Sequence, residues 1–129
     1  MRPKDHVVLV VEDDGGVRTF TASALRELGY EAIEADTGAM ARQKLAENPR
    51  LTILLTDVVL PSENGRDLAN SLIKHRPDLV VLYMTGYTRN SIVHNGTLDP
   101  GVRLLSKPFT VDDLKRELRA ALTQRTISA

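Results

Sequence analysis

The sequence predicts a doubly wound α/β domain of the (βα)5 type, built on a five-stranded parallel sheet. Three observations predict it. Short β-rich runs alternate with longer stretches of helical periodicity along the whole chain. Three of those runs, Val7–Val11, Leu51–Leu55 and Leu79–Leu82, are almost uninterrupted apolar sequence, as strands covered by helices on both faces require. And 129 residues suit one domain with one sizeable core.

The elements follow in order. The first strand spans His6–Val11. Val17, Phe20, Ala24, Leu25 and Leu28 then recur at helical spacing, and Gly29 stops that helix. Tyr30–Ala35 is the second strand. Thr37 starts a helix carried by Gly38, Ala41 and Leu45, which ends before Pro49. Leu51–Thr56 is the third strand; Leu68, Ala69, Leu72 and Ile73 mark the helix after it, which ends before Pro77. The fourth strand is Leu79–Met84. Thr88–Asn95 is mostly polar and is followed by Gly96, Pro100 and Gly101, so a short or irregular helix is expected there. Val102–Leu105 is the fifth strand. Thr110, with Asp113 three residues on, opens the last helix, whose apolar stripe is Val111, Leu114, Leu118, Ala121 and Leu122. No repeat, low-complexity tract or linker interrupts the pattern. The expectation is a single domain over 1–129 with its core at about 6–123, followed by the short polar tail Arg125–Ala129.

Composition narrows the function. Hydrophobic residues make up 42% and charged residues 26%, the balance of a soluble globular chain. Lys plus Arg and Asp plus Glu both number 17, so there is no basic excess to suggest nucleic acid as a partner. The mildly basic stretch Lys115–Arg125 is interleaved with Leu and Ala and reads as a solvated helix face. There is no Cys, which excludes a disulfide scaffold, a thiolate zinc site and a Cys nucleophile. The longest apolar run near the start, Val7–Val11, is too short for a signal-peptide core or a membrane span. A cytoplasmic location without membrane insertion is expected.

In open parallel sheets ligands bind beyond the carboxyl ends of the strands. After the first strand come Glu12, Asp13 and Asp14; at the end of the third stands Asp57; after the fourth come Thr85 and Gly86; after the fifth come Lys107 and Pro108. Each feature alone has a bland reading, as a turn, a helix cap or a solvated lysine. Together they place carboxylates, a hydroxyl and an ammonium on one rim. Clustered carboxylates stay ionised together only beside a cation, and an all-oxygen donor set suits Mg2+. A carboxylate can be the nucleophile toward a phosphoryl group, while a hydroxyl and an ammonium can bind its oxygens. Phosphoryl transfer needs mainly positioning and charge neutralisation.

With those residues in place, the chain resembles the receiver domains of bacterial response regulators, from about Val7 to Leu122. The matching strings are Val-Val-Glu-Asp-Asp (10–14), Thr-Asp-Val-Val-Leu-Pro (56–61) with Gly65, Met-Thr-Gly (84–86) and Lys-Pro-Phe (107–109). The resemblance implies the strand order 2-1-3-4-5 of the flavodoxin-like, CheY-like fold. It implies Asp57 as phosphoacceptor, and Mg2+ held by Asp13 directly, by Glu12 through water, by Asp57 and by the backbone carbonyl of Val59. It implies Thr85 and Lys107 as the pair that reads the phosphoryl group, Pro61 and Gly65 as residues shaping the loop after Asp57, and a cis bond at Lys107-Pro108. The implied donor is a phosphohistidine on a histidine kinase or a histidine phosphotransfer domain. The domain is then not an enzyme in the usual sense, but catalyses its own phosphorylation and dephosphorylation. The Met-Thr-Gly-Tyr and Leu-Leu-Ser-Lys-Pro-Phe strings are similar to receivers of hybrid histidine kinases, which makes such a kinase a possible parent protein.

Many receivers carry an aromatic residue three positions before the Lys; here it is Leu104, which puts the usual output route in doubt. Val59, two residues after Asp57, cannot orient an attacking water, and Tyr87, two after Thr85, could shield an acyl phosphate, so slow self-dephosphorylation is expected. His6, His75 and His94 lack metal-ligand spacing: His6 begins a strand, and exposed positions are expected for the other two. Tyr83 and Phe109 are read as packing residues, and Arg66 and Arg89 as surface charges. Two rival functions stay in view. One is an aspartyl-phosphate phosphatase, but Glu12-Asp13-Asp14-Gly15 puts Glu in its nucleophile place and the chain lacks length for a cap domain. The other is a phosphorylation-independent receiver-like binding module, which Leu104 leaves open.

Overall fold

The apolar runs do become buried strands. In the computed structural model, which describes residues 5–86, 93–94, 97–98 and 103–128, β1 (Val7–Val11) is buried at all five positions. It is followed by α1 (Gly15–Glu27), β2 (Glu31–Ala35), α2 (Gly38–Glu47), β3 (Leu51–Asp57), α3 (Gly65–His75) and β4 (Val80–Thr85). Then come two short strands, β5 (Val93–His94) and β6 (Thr97–Leu98), and finally β7 (Leu104–Ser106) and α4 (Val111–Ser128). The main sheet has the order β2-β1-β3-β4-β7, and every neighbouring pair is parallel. This is the order 2-1-3-4-5, with β7 as the fifth strand.

One expectation changes. Thr88–Asn95 is expected to be helical, yet Val93–His94 is a strand paired antiparallel with Thr97–Leu98; residues 88–92 and 95 lie outside the described residues. The stretch has no apolar stripe at helical spacing to bury, while β-branched Val93 and Thr97 favour extended backbone. Among the described residues four helices, rather than five, flank the sheet.

Strand periodicity divides the interior in two. Val7, Leu9 and Val11 pack on one face of the sheet with Leu54, Leu68 and Leu72. Val8 and Val10 point the other way, toward Leu25, Leu55, Leu114 and Leu118. Each fully buried Leu or Val contributes roughly 1.5–3 kcal/mol, so this doubled core fixes the sheet between α2 and α3 on one face and α1 and α4 on the other.

The helix starts are set by side chains. Asp14 accepts from the amides of Gly16 and Val17, Thr37 from Met40 and Asn64 from Asp67. Thr110 and Asp113 cap α4 reciprocally, each side chain accepting from the other's amide at 3.0 Å. Gly29, at φ 100°, takes the left-handed conformation that ends α1 at little steric cost. The Lys107-Pro108 bond is cis.

Candidate functional site

The carboxyl ends of β1, β3, β4 and β7 converge on one cleft of about 910 Å³. Glu12, Asp13, Asp57, Val59, Thr85 and Lys107 all line it, so the six residues expected to form the site do meet. Asp14 also borders it, but its side chain is committed to capping α1. Glu12, Asp13 and Asp57 each offer a carboxylate oxygen within 4.8 Å of the others. Lys107 Nζ donates to Glu12 Oε1 at 2.6 Å and to Asp57 Oδ2 at 2.9 Å. The Val59 amide donates to Asp57 Oδ1 at 3.2 Å, which fixes the Asp57 rotamer from below while Lys107 holds its other oxygen.

Burial makes these contacts matter. Glu12 is only 1% exposed and Asp57 8%, whereas Asp13 faces solvent. Burial, and then the neighbouring Asp57 carboxyl, push the Glu12 carboxyl up to about 8, against the pull of Lys107. Burial acts to lower the Lys107 ammonium, but its hydrogen bonds to Glu12 and Asp57 outweigh that and hold it above its ordinary value. Three carboxyl groups thus share one ammonium, and Glu12 Oε2 is buried with no hydrogen-bond partner. Ionising a buried carboxyl group left in that state is costly. A hard divalent cation supplies the missing positive charge and accepts oxygen donors only, so the residues present fit Mg2+.

The sequence profile of the response regulator receiver domain matches residues 8–119. The chain belongs to that family. It is 35% identical over 115 residues to the response regulator receiver protein CpdR of Brucella abortus (strain 2308), covering 89% of this chain and 95% of CpdR. It is 31% identical over 119 residues to the sensor kinase CckA of the same strain, covering 92% of this chain but 13% of the kinase. Among solved structures, the receiver domain from the hybrid histidine kinase CckA superposes with a TM-score of 0.74 at 27% identity, over 90% of this chain and 98% of that one. The chain is thus a receiver domain of two-component signalling, of a kind found both as nearly a whole protein and as a small part of a kinase. No described helix is long and apolar enough to cross a membrane.

Several site contacts have no sequence signature. Arg18, one turn into α1, donates to the Glu12 carbonyl at 2.9 Å and pairs with Glu34 of β2 at 3.4 Å, so it braces the acidic loop from outside. Phe20, assigned by periodicity to the core stripe of α1, is instead 44% exposed at the cleft rim. Its ring meets Phe109 at a centroid distance of 5.8 Å, a tilted aromatic contact that spans from α1 to the segment after the cis proline. Tyr83 and Phe109 are buried, as packing residues should be. Arg66 is half-buried on α3 and does not line the cleft. His6 is buried just before β1, with Nδ1 3.1 Å from Thr52 Oγ1, and His75 is exposed. Tyr87 and Arg89 lie outside the described residues, as does the side chain of His94.

Proposed function

We propose that this receiver domain accepts a phosphoryl group on Asp57 from a phosphohistidine of a histidine kinase or a histidine phosphotransfer domain, with Mg2+ as cofactor, and so switches or relays a signal. The observation that carries the reading is the buried Asp57 carboxylate, gripped by Lys107 Nζ at 2.9 Å beside the orphaned Glu12 oxygen. An Asp57 oxygen attacks phosphorus, the phosphorus–nitrogen bond of the donor breaks, and its electron pair returns to the imidazole. Lys107 leaves its bridge to Glu12 and neutralises a phosphoryl oxygen as a point charge. Thr85, buried at the end of β4, donates its hydroxyl proton to another. Asp13, Asp57, the Val59 carbonyl and, through water, Glu12 would hold Mg2+, whose charge offsets that of the phosphoryl oxygens. The Val59 side chain is 61% exposed over the cleft and apolar, so no side chain there orients water, and the acyl phosphate decays slowly by the domain's own action. The relatives, a receiver protein and a sensor kinase, support a cytoplasmic phosphorelay in which the partner or parent is a kinase.

The test is intact mass after incubation with Mg2+ and acetyl phosphate. One added phosphoryl group is expected, dependent on Mg2+ and absent in Asp57→Asn. If no group is added and Mg2+-dependent beryllofluoride binding is also absent, the phosphorylation-independent binding module, which Leu104 leaves open, takes its place; partner binding indifferent to Asp57→Asn would have the same meaning. Val59→Asn is expected to speed loss of the phosphoryl group several-fold, short of the roughly 100-fold that a positioned general base supplies at the low end, because an amide orients water without taking its proton. An unchanged decay rate in that variant would remove the explanation for slow hydrolysis.

A further inference from the structure

The loop after Asp57, residues 58–64, is closed at its base by backbone contacts. The Val58 amide donates to the Met84 carbonyl at 3.0 Å, Leu60 to Glu63 at 3.2 Å and Gly65 to Val58 at 2.6 Å. Gly65 lies so close to β3 that a Cβ there would overlap the Asp57 carbonyl. Val59 and Asn64 face each other across the loop in an isolated antiparallel bridge, which places Glu63 beside the arm opposite Val59.

The tip of this loop is fastened separately, to another layer of the fold. Arg42 of α2 forks onto Glu63, with Nη1 donating to Oε2 at 2.9 Å and Nη2 to Oε1 at 2.8 Å. Its Nε donates to Ser71 Oγ on α3 at 3.2 Å. Such a bidentate fork fixes direction as well as distance. The space for the carboxylate is prepared by Gly38, the buried first residue of α2, where a Cβ would overlap the Glu63 carboxylate. The carboxylate also lies at the α2 N-terminus, where free amides favour an anion. The hydrogen bonds from Arg42 hold the Glu63 carboxyl below its ordinary range. Arg42, Glu63 and Gly38 all lie outside the cleft lining, so the acceptor chemistry itself does not use them.

We infer that the Arg42–Glu63 fork, seated in the gap at Gly38, is a positioning device that holds loop 58–64 so that the Val59 backbone is aimed at the cation site. The inference rests on the receiver reading above, since that reading makes the Val59 carbonyl a ligand. Arg42 and Glu63 are positioning residues; they act on the cation through the loop. Because both side chains are partly solvated, at 44% and 21% exposure, the fork adds little to global stability. It can pass on to the cation site no more than its own coupling, which corresponds to about two- to fivefold in affinity.

The experiment is a calorimetric Mg2+ titration of the full chain and of Arg42→Ala, Glu63→Gln, their double variant and Gly38→Ala, with melting temperatures measured without Mg2+. Each single variant is expected to bind Mg2+ about two- to fivefold more weakly, and the double variant no more weakly than either parent. Gly38→Ala discriminates best. Ala favours the helix over Gly, and the flexible Glu63 can swing aside, so the variant folds while losing the fork. A purely structural role predicts unchanged Mg2+ affinity in Gly38→Ala; the positioning role predicts the same loss as Glu63→Gln. Unchanged affinity in the three single variants, or additive losses in the double variant, would overturn the inference. Acetyl phosphate labelling of the wild type, lost in Asp57→Asn, tests the underlying reading separately; a wild type that binds no Mg2+ would overturn both.

Discussion

At the scale of single residues the site is defined by a carboxyl group held where carboxyl groups are uncomfortable. Glu12 is 1% exposed, and burial and Asp57 raise it from 4.5 to about 8. A raised folded-state value means that the folded protein binds this proton more tightly than the unfolded chain does. The stability it contributes is complete below 4.5 and is lost as the pH rises toward 8. His6 works in the other sense: burial lowers it from 6.5, so its unfavourable contribution enters only as the pH falls below 6.5. Of these two groups, Glu12 is the one that acts across the window from pH 6.5 to 8. Metal-free protein is expected to lose stability across it, with a slope no steeper than about 1.4 kcal/mol per pH unit, one proton's worth. Glu12→Gln flattens the slope. Mg2+ affinity rises over the same window because the cation displaces that proton. Urea unfolding in a chelator and Mg2+ titration at the two ends of the window check both; a metal-free stability that rises with pH there would contradict the assignment. The chemical types of Glu12, Asp13, Asp57, Thr85 and Lys107 were legible in the sequence because each stands at or just after the end of a strand. What was not legible is which acid would be buried, since Glu12 and Asp13 are neighbours in sequence and only β1 geometry turns one inward and the other out.

At the scale of elements, boundary signals were legible wherever they act locally. Thr37, Thr110 with Asp113, and Gly29 are caps whose partners lie within four residues. Contacts between elements were not, because a side chain that reaches across layers leaves no periodic trace. Arg76, at the end of α3, is the clearest case. Its guanidinium donates to the carbonyls of Leu45 at 2.8 Å, Leu51 at 3.0 Å and Asn48 at 3.4 Å. It thereby satisfies the open end of α2 and the start of β3 at once. Arg76→Ala strands these acceptors, and it is expected to destabilise the fold by about 2–3 kcal/mol. Arg76→Lys recovers little of this, because an ammonium cannot reproduce the fork. Denaturant unfolding measures the loss. Below the transition, phosphoryl uptake on Asp57 is expected to stay at the wild-type level, since the contacts lie at the opposite end of the strands from the cleft; a loss of uptake in folded protein would show that this end of the sheet communicates with the site.

At the scale of the whole molecule the question is how the rim reports its state. Thr85 ends β4, and β7 runs beside it, with Tyr83 opposite Leu104 and Thr85 opposite Ser106. Tyr83 is buried at 6% exposure, and the half-buried Leu104 packs against the same core cluster. The fifth strand was legible as a strand, and the substitution at 104 was legible as a departure. Its packing was not, since that depends on which sheet face receives the residue. Leu104 has no polar atom to follow Thr85, and a packed aliphatic side chain has no second hydrogen-bonded position to move to. The rim can then change while the β7 face stays as it is, which suits a domain that passes its phosphoryl group on or signals through another surface. Amide chemical shifts recorded with and without Mg2+ and beryllofluoride test this. Large changes are expected at Asp13, Val59, Gly86 and Lys107, and small ones at Leu104, Leu105 and along Val111–Leu118. The same titration on Leu104→Tyr should extend the response into β7. A large response at Leu104 and Leu105 in the wild type would instead show that β4 and β7 move together, and that the face carries the output without an aromatic residue at 104.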